Sequence, residues 1–287
     1  MSSTQIKESS WDLVIKPQTS LFDLNLKDVW RYRDLVWLFV KRDFTAQYKQ
    51  TILGPLWHFI QPLFTTIVFM VVFSNIAKIP TDGVEPIVFY MSGIAIWNYF
   101  ASCLTGTSNT FVANAGIFGK VYFPRLVIPI SIVLSNMVKF GIQFLLLLAA
   151  IGYFGLRTGH FYMGWSWLLV PVLVTMMALL GLGVGIIISS LTTKYRDFTV
   201  LIGFAVQLLM YSTPVIYPLS FFAASKYRPI IYWNPLSPIV ESFRYAVLGQ
   251  GSFSFAYLAY SAIATLVFLS IGILLFNKVE KSFMDTV

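Results

Sequence analysis

Charge is scarce in this sequence. Only 11% of its 287 residues are Asp, Glu, Lys or Arg, while 57% are hydrophobic and 17% aromatic, and the mean hydropathy is +0.74. Soluble domains carry about 25% charged residues. A water-soluble core cannot absorb this much apolar surface, so the bilayer is the expected solvent. Cysteine is scarcer still. The single Cys103 excludes an intramolecular disulfide and a multi-cysteine metal site. The two histidines, His58 and His160, are far apart and lack a clustered carboxylate partner, so no metal centre is expected. Paired carboxylates are missing too: of the acidic residues only Glu241 falls in a mostly apolar region. A membrane hydrolase or glycosyltransferase needs such a pair or a metal cluster, so the chain is read as having no catalytic site and no cofactor of its own. No apolar run occupies the first 30 residues, which excludes a cleavable signal peptide there and leaves the N-terminus on the synthesis side.

Nucleotide motifs fail in detail. GIFGK at 116–120 resembles part of a phosphate loop. The motif requires glycine where Asn114 stands and Ser or Thr where Val121 stands. GLGVG at 181–185 is not G-x-G-x-x-G, because Ile186 occupies the last glycine position. Gly181 and Gly185 do fit the small-xxx-small pattern that lets membrane helices approach closely.

What the chain has in abundance is long apolar segments. A helical crossing needs about 20 such residues. Six segments qualify: Leu56–Ile76, Val88–Thr110, Leu126–Phe154, Trp167–Leu191, Phe198–Tyr217 and Phe255–Phe276. They show no alternation, so an all-α integral membrane protein is predicted and not a barrel. Fourteen of the 20 Lys and Arg residues fall in the N-terminal segment, the second and fourth connections and the C-terminal tail, against five on the other side; Lys139 lies within the third span. This asymmetry predicts both termini in the cytoplasm. The net charge of +8 therefore reports orientation and lipid contact, with no nucleic acid implied. Residues 1–24 read as a flexible cytoplasmic N-terminus and 25–287 as one transmembrane domain. Residues 25–50 mix basic and aromatic residues at helical spacing and predict an amphipathic helix on the inner leaflet. Six spans without catalytic residues describe a conduit. Ion-driven carriers hold several intramembrane ionisable groups; here only Lys139 and Glu241 qualify, which favours an external motor.

Four stretches in order, LGPLWHFIQPL (53–63), FGKVYFPRLVIPIS (118–131), RDFTVLIGFAVQLLMYSTPVIYP (196–218) and NPLSPIVESFR (234–244), resemble the permease subunit of type-2 ABC exporters, within the polysaccharide and O-antigen export group. The resemblance covers about residues 25–280. It implies that two copies of the chain form a channel, driven by two copies of a cytoplasmic ABC ATPase that binds ATP and Mg. The expected cargo is a polyprenyl-pyrophosphate-linked glycan moved outward across the cell inner membrane. It further implies an ATPase-docking coupling helix at Gly119, Lys120, Tyr122, Pro124 and Arg125. A cytoplasmic gate in contact with lipid pyrophosphate is implied at Arg31, Arg33, Lys41 and Arg42. Alternatives are export of teichoic acid, capsule, lipid or drug, or a membrane-embedded glycan transferase.

A sliding polymer suits an aromatic path, because sugar C–H faces stack on rings without a fixed register. The candidates are Trp57, Phe59, Tyr90, Trp97, Tyr99, Tyr211, Tyr217, Tyr232 and Trp233. NPLSPIVESFR is too broken to span. Ser237 is a candidate N-cap with Pro238 at the first helical position, and a helix to Leu248 stops before Gly249. Glu241 and Arg244 stand three apart and are expected to pair. Short re-entrant helices between spans five and six are predicted at the channel exit, with Ser237, Pro238, Glu241 and Arg244 on the second.

Overall fold

A computed structural model describes residues 26–49, 51–118, 120, 121, 123–159, 164–193, 195 and 197–283. All regular structure among them is helical. The N-terminal segment 1–24 lies outside these residues. Two helices, α1 (Leu26–Arg31) and α2 (Arg33–Tyr48), precede the first apolar run. That run, Gly54–Ile76, consists of α3 (Trp57–Phe69) between a 3-10 turn and wider π turns. Next come α4 (Pro86–Ser108), α5 (Thr110–Phe118), α6 (Val127–Thr158) and α7 (Leu169–Thr192, preceded by a 3-10 turn at Trp165–Leu168). The remaining helices are α8 (Phe198–Tyr211), α9 (Arg228–Tyr232), α10 (Leu236–Leu248) and α11 (Phe255–Phe283). Pro86 starts α4 where its missing N–H costs nothing. Gly159 and Gly249, at φ 72° and 70°, close α6 and α10 in the left-handed conformation that glycine adopts without steric cost.

Among the described residues five helices are long and apolar enough to cross a bilayer: Gly54–Ile76, Pro86–Ser108, Val127–Thr158, Trp165–Thr192 and Phe255–Val279. The fifth expected span is helical over only part of its length. Its helix, α8, has 14 residues, about 21 Å at 1.5 Å per residue, against about 30 Å of hydrocarbon. Residues 212–217 that were expected to complete it form turns. Pro214 cannot donate to a continuing helix.

The centre is α4 packed on α7. Sixteen residues of α4 are buried, including Phe89, Tyr90, Ile96, Phe100 and Cys103. The glycines of α7 explain the closeness. A side chain at Gly181 would meet Cys103 Cβ at 3.0 Å and Phe100 O at 3.2 Å, and one at Gly185 would run into Thr107. Gly183 points the other way, where a Cβ would lie 2.7 Å from Leu269 N on α11. Thus α7 is the middle layer between α4 and α11, as the small-xxx-small spacing predicts on the α4 side.

The bundle has two distinct ends. At one, Val29, Val36 and Phe39 pack with Phe111, Phe118, Phe123, Val127, Ile186 and Phe276. Thr192 Oγ1 donates to Ser108 O at 3.0 Å there, tying the last turns of α7 and α4. At the other end, Ser220 Oγ lies 2.9 Å from the Asp82 carboxylate, and Gly83, Glu85, Thr158, Gly159 and Gln250 line one broad opening.

Candidate functional site

The best-built polar cluster lies where α10 meets the turn after α8. Why α10 starts at Leu236 is visible in Asn234. Its Oδ1 accepts the Leu236 N–H at 3.0 Å, while its Nδ2 donates to Thr213 Oγ1 at 2.9 Å and Ser212 O at 3.2 Å. Asn234 therefore does the capping, and the expected Ser237 cap is corrected. Ser237 is one residue inside the helix, fully buried, and its hydroxyl has no partner. Pro235, at φ −65°, adopts helical geometry and moves the start back. The end at Leu248 before Gly249 agrees with expectation.

At 13 residues, about 20 Å, α10 is too short to span, yet it is buried nearly all round. The buried set includes its one ion pair: Arg244 Nη1 donates to Glu241 Oε2 at 3.0 Å, with the two side chains 2% and 1% exposed. Arg244 Nη2 donates to Pro214 O at 3.0 Å and Val215 O at 3.2 Å. The guanidinium carbon lies 3.8 Å from the Phe89 ring centroid on α4. Gly93 makes room for this: a Cβ there would sit 2.7 Å from Val215 O and 3.1 Å from Arg244 Nη2. On its other oxygen Glu241 accepts the Ser252 N–H at 3.2 Å. Burial holds the Glu241 carboxyl above the usual carboxylate range, with Arg244 only partly opposing it. One residue thus fastens three elements, and the pair is a structural clamp more than an open ligand site. Beside it lies a cavity of about 220 Å³ whose lining includes Arg228, Tyr232, Ser237, Glu241 and Tyr257.

At the opposite end, α2 lies along the start of α6, with Phe39 and Phe123 rings 5.8 Å apart. Trp30, Trp37 and Leu38 remain exposed at 72%, 66% and 59%, which suits a helix with one face on protein and one in headgroups. Of the expected gate residues, Arg31, Arg33 and Lys41 are exposed. Arg42 is engaged by Asp43 at 2.7 Å and lies 4.5 Å over the Phe39 ring. In the expected coupling helix, Gly119 and Tyr122 lie outside the described residues. Of the rest, Lys120 is exposed and Pro124 partly so. Arg125 is 9% exposed and sits 5.4 Å over Phe118. The described residues between α5 and α6 form turns and bends in place of a regular helix.

The aromatic candidates divide. Tyr90, Trp97, Tyr99 and Tyr217 are enclosed by their own chain, at 0%, 4%, 3% and 8% exposure. The Tyr99 and Phe140 rings meet at a tilt with centroids 5.2 Å apart, and Tyr217 donates to Tyr211 O at 2.8 Å. Trp57, Tyr211 and Trp233 are exposed, and Phe59 and Tyr232 are half-buried. The sequence reading missed Asn234 and the carbonyls of Pro214 and Val215, whose roles arise only from the folded turn.

Comparison with known proteins places these features in a wider set. The family described as ABC-2 type transporter matches residues 34–248. An O-antigen export system permease protein of Klebsiella pneumoniae is 28% identical over 256 residues, covering 88% of this chain and 94% of that protein. One from Myxococcus xanthus is 25% identical, covering 76% and 82%. A polysialic acid transport protein of Escherichia coli is 22% identical, covering 85% and 93%.

Proposed function

The chain belongs to the ABC-2 type transporter family, and from that membership we propose that it is the membrane-spanning subunit of an ATP-driven exporter of lipid-linked polysaccharide, O-antigen first among the cargoes, in the cell inner membrane. The likeness to O-antigen permeases along nearly their whole length carries this reading. Capsule glycans are the second cargo class, favoured by the likeness to the polysialic acid transport protein. Both termini face the cytoplasm, in keeping with the basic residues of the N-terminal segment. The sixth crossing is α8 together with the turn after it. It starts six residues after Thr192, which bonds to the end of α4, and the turn after it reaches Arg244 and Gly93 in the first half of α4. The segment from Leu219 to Leu248 is a re-entrant unit at the outer exit, and α10 is its buried half.

Energy comes from a separate ATPase that holds ATP and Mg and docks on the turn containing Lys120 and Arg125. Gly119, Tyr122 and Pro124 belong to the same docking segment. Two copies of the chain and two of the ATPase make the transporter. The apolar outer faces of α3 and α8, exposed at Phe64, Val68, Val200 and Phe204, are covered by lipid and by the second copy. Arg31, Arg33, Lys41 and Arg42 meet lipid pyrophosphate at the entrance. Trp57, Phe59, Tyr211, Tyr232 and Trp233 are the aromatics placed to touch a moving glycan. The test is copurification of the full chain with a cytoplasmic nucleotide-binding protein, and stimulation of ATP hydrolysis by a polyprenyl-pyrophosphate glycan. Absence of any stable complex with such a subunit overturns the reading.

A further inference from the structure

Lys139 is the charged residue that the clamp and the gate leave unexplained. It lies on α6, 12 residues after Val127, or about 18 Å along the helix. The 32 residues of α6 reach about 48 Å, some 18 Å more than a hydrocarbon core. The first turn of α6 packs with α2; with the excess placed at that end, Lys139 stands near headgroup depth.

Here α2, α3, α4 and α6 enclose a cavity of about 210 Å³. Its polar lining is rich in donors: Lys139 and the amides Gln47, Gln61, Asn98, Asn136 and Gln143, with Ser102; Asn98 Nδ2 donates to Gln143 Oε1 at 3.4 Å. Among the described lining residues none is a carboxylate. Asp43, whose charge reaches Lys139, is bridged by Arg42 and lies outside the lining. Two further polar atoms are unsatisfied. His58 Nε2 is buried without a hydrogen-bond partner. Tyr99 is 97% buried and its hydroxyl finds no oxygen or nitrogen partner, only the weakly bonding Cys103 thiol. An ammonium partly withdrawn from water, with no carboxylate in the cavity that holds it, is costly. A donor-rich cavity of this size accommodates a tetrahedral oxyanion, and charge-assisted bonds to phosphate oxygens satisfy both Lys139 and the amides.

We infer that this cavity binds the phosphate ester of a lipid headgroup, with Lys139 as the charge partner and Asn136, Gln61 and Tyr99 as hydrogen-bond donors. The depth of the site rests on the orientation above; the chemistry does not. Two kinds of lipid present that group with a net negative charge: an anionic phospholipid and the pyrophosphate carrier of the proposed cargo.

The experiment is native mass spectrometry of the full-length chain with each of three probes: dioleoylphosphatidylglycerol, a polyprenyl pyrophosphate, and dioleoylglycerol as the phosphate-free control. Lys139→Gln lowers affinity for a phosphate lipid by about tenfold, the usual worth of one charge-assisted bond. Lys139→Arg keeps most of it, and Lys226→Gln, outside the cavity, changes nothing. Gln61→Leu, at an exposed α3 position where folding is insensitive, gives a smaller loss in the same direction. Preference for either phosphate lipid, lost in Lys139→Gln, supports the site and says which lipid fills it. Unchanged binding in a Lys139→Gln protein of normal melting temperature overturns it, as does equal binding of dioleoylglycerol. Neither result bears on ATPase copurification, so the export reading fails or stands separately.

Discussion

Replacing Arg244 by alanine removes four interactions at once: the Glu241 ion pair, donors to the carbonyls of Pro214 and Val215, and the stack on Phe89. Breaking a buried pair by deleting one partner costs about 3–5 kcal/mol, because the other charge stays buried uncompensated. For a chain of this size about 2–4 °C accompany each kcal/mol, so the melting temperature of the purified protein in detergent should fall by about 6–20 °C. Arg244→Lys keeps a charge but not the fork of donors, and should fall by a smaller amount. The pH dependence supplies a second check. Burial raises the Glu241 carboxyl, and in Arg244→Ala nothing from residue 244 lowers it. A group with a raised folded pKa binds its proton in the folded state over a range where the unfolded chain has released it, so stability rises as pH falls through that range toward the unfolded value. The deficit of Arg244→Ala should therefore narrow as pH falls from neutral toward the usual carboxylate range. A variant melting within about 2 °C of the parent at neutral pH would show that the clamp carries little of the fold.

Asn234→Ala removes the α10 cap and two ties to the preceding turn, and should cost about 1–2 kcal/mol by thermal melting; Ser237→Ala, which deletes an unpartnered hydroxyl, should be neutral or stabilising. Gly185→Val forces α7 off Thr107 and should destabilise by about 1–3 kcal/mol, whereas Gly203→Ala on α8, with open space around it, should gain up to about 1 kcal/mol. Lys120→Glu should weaken ATPase copurification without moving the melting temperature; a parallel loss of stability would assign the residue to the fold.

Hydropathy located the long helices because bilayer length and apolar composition are both written locally. The first four and the last begin and end within a few residues of their expected bounds. It failed at α8 because Val215, Ile216 and Tyr217 are apolar for a different reason: they fill the protein interior from a turn. The Glu241–Arg244 pair was legible at helical spacing, but its grip on Pro214 and Val215 was not, since those carbonyls lie 29 and 30 residues away. The Lys139 cavity collects residues from four separate helices, so no local window reveals it. Composition likewise could not separate aromatics that pack the core, such as Tyr90 and Trp97, from those left at the surface, such as Trp233.

The restraint on α8 is uneven along its length. Of its 14 residues only Ile202 is buried, while the turn at its C-terminal end is gripped by Asn234 and Arg244. A rod pinned at one end and lightly held elsewhere behaves as a lever, with displacement growing toward Phe198. Force arriving there would swing the helix about a fulcrum built into α10, without disturbing the glycine-locked pair of α4 and α7.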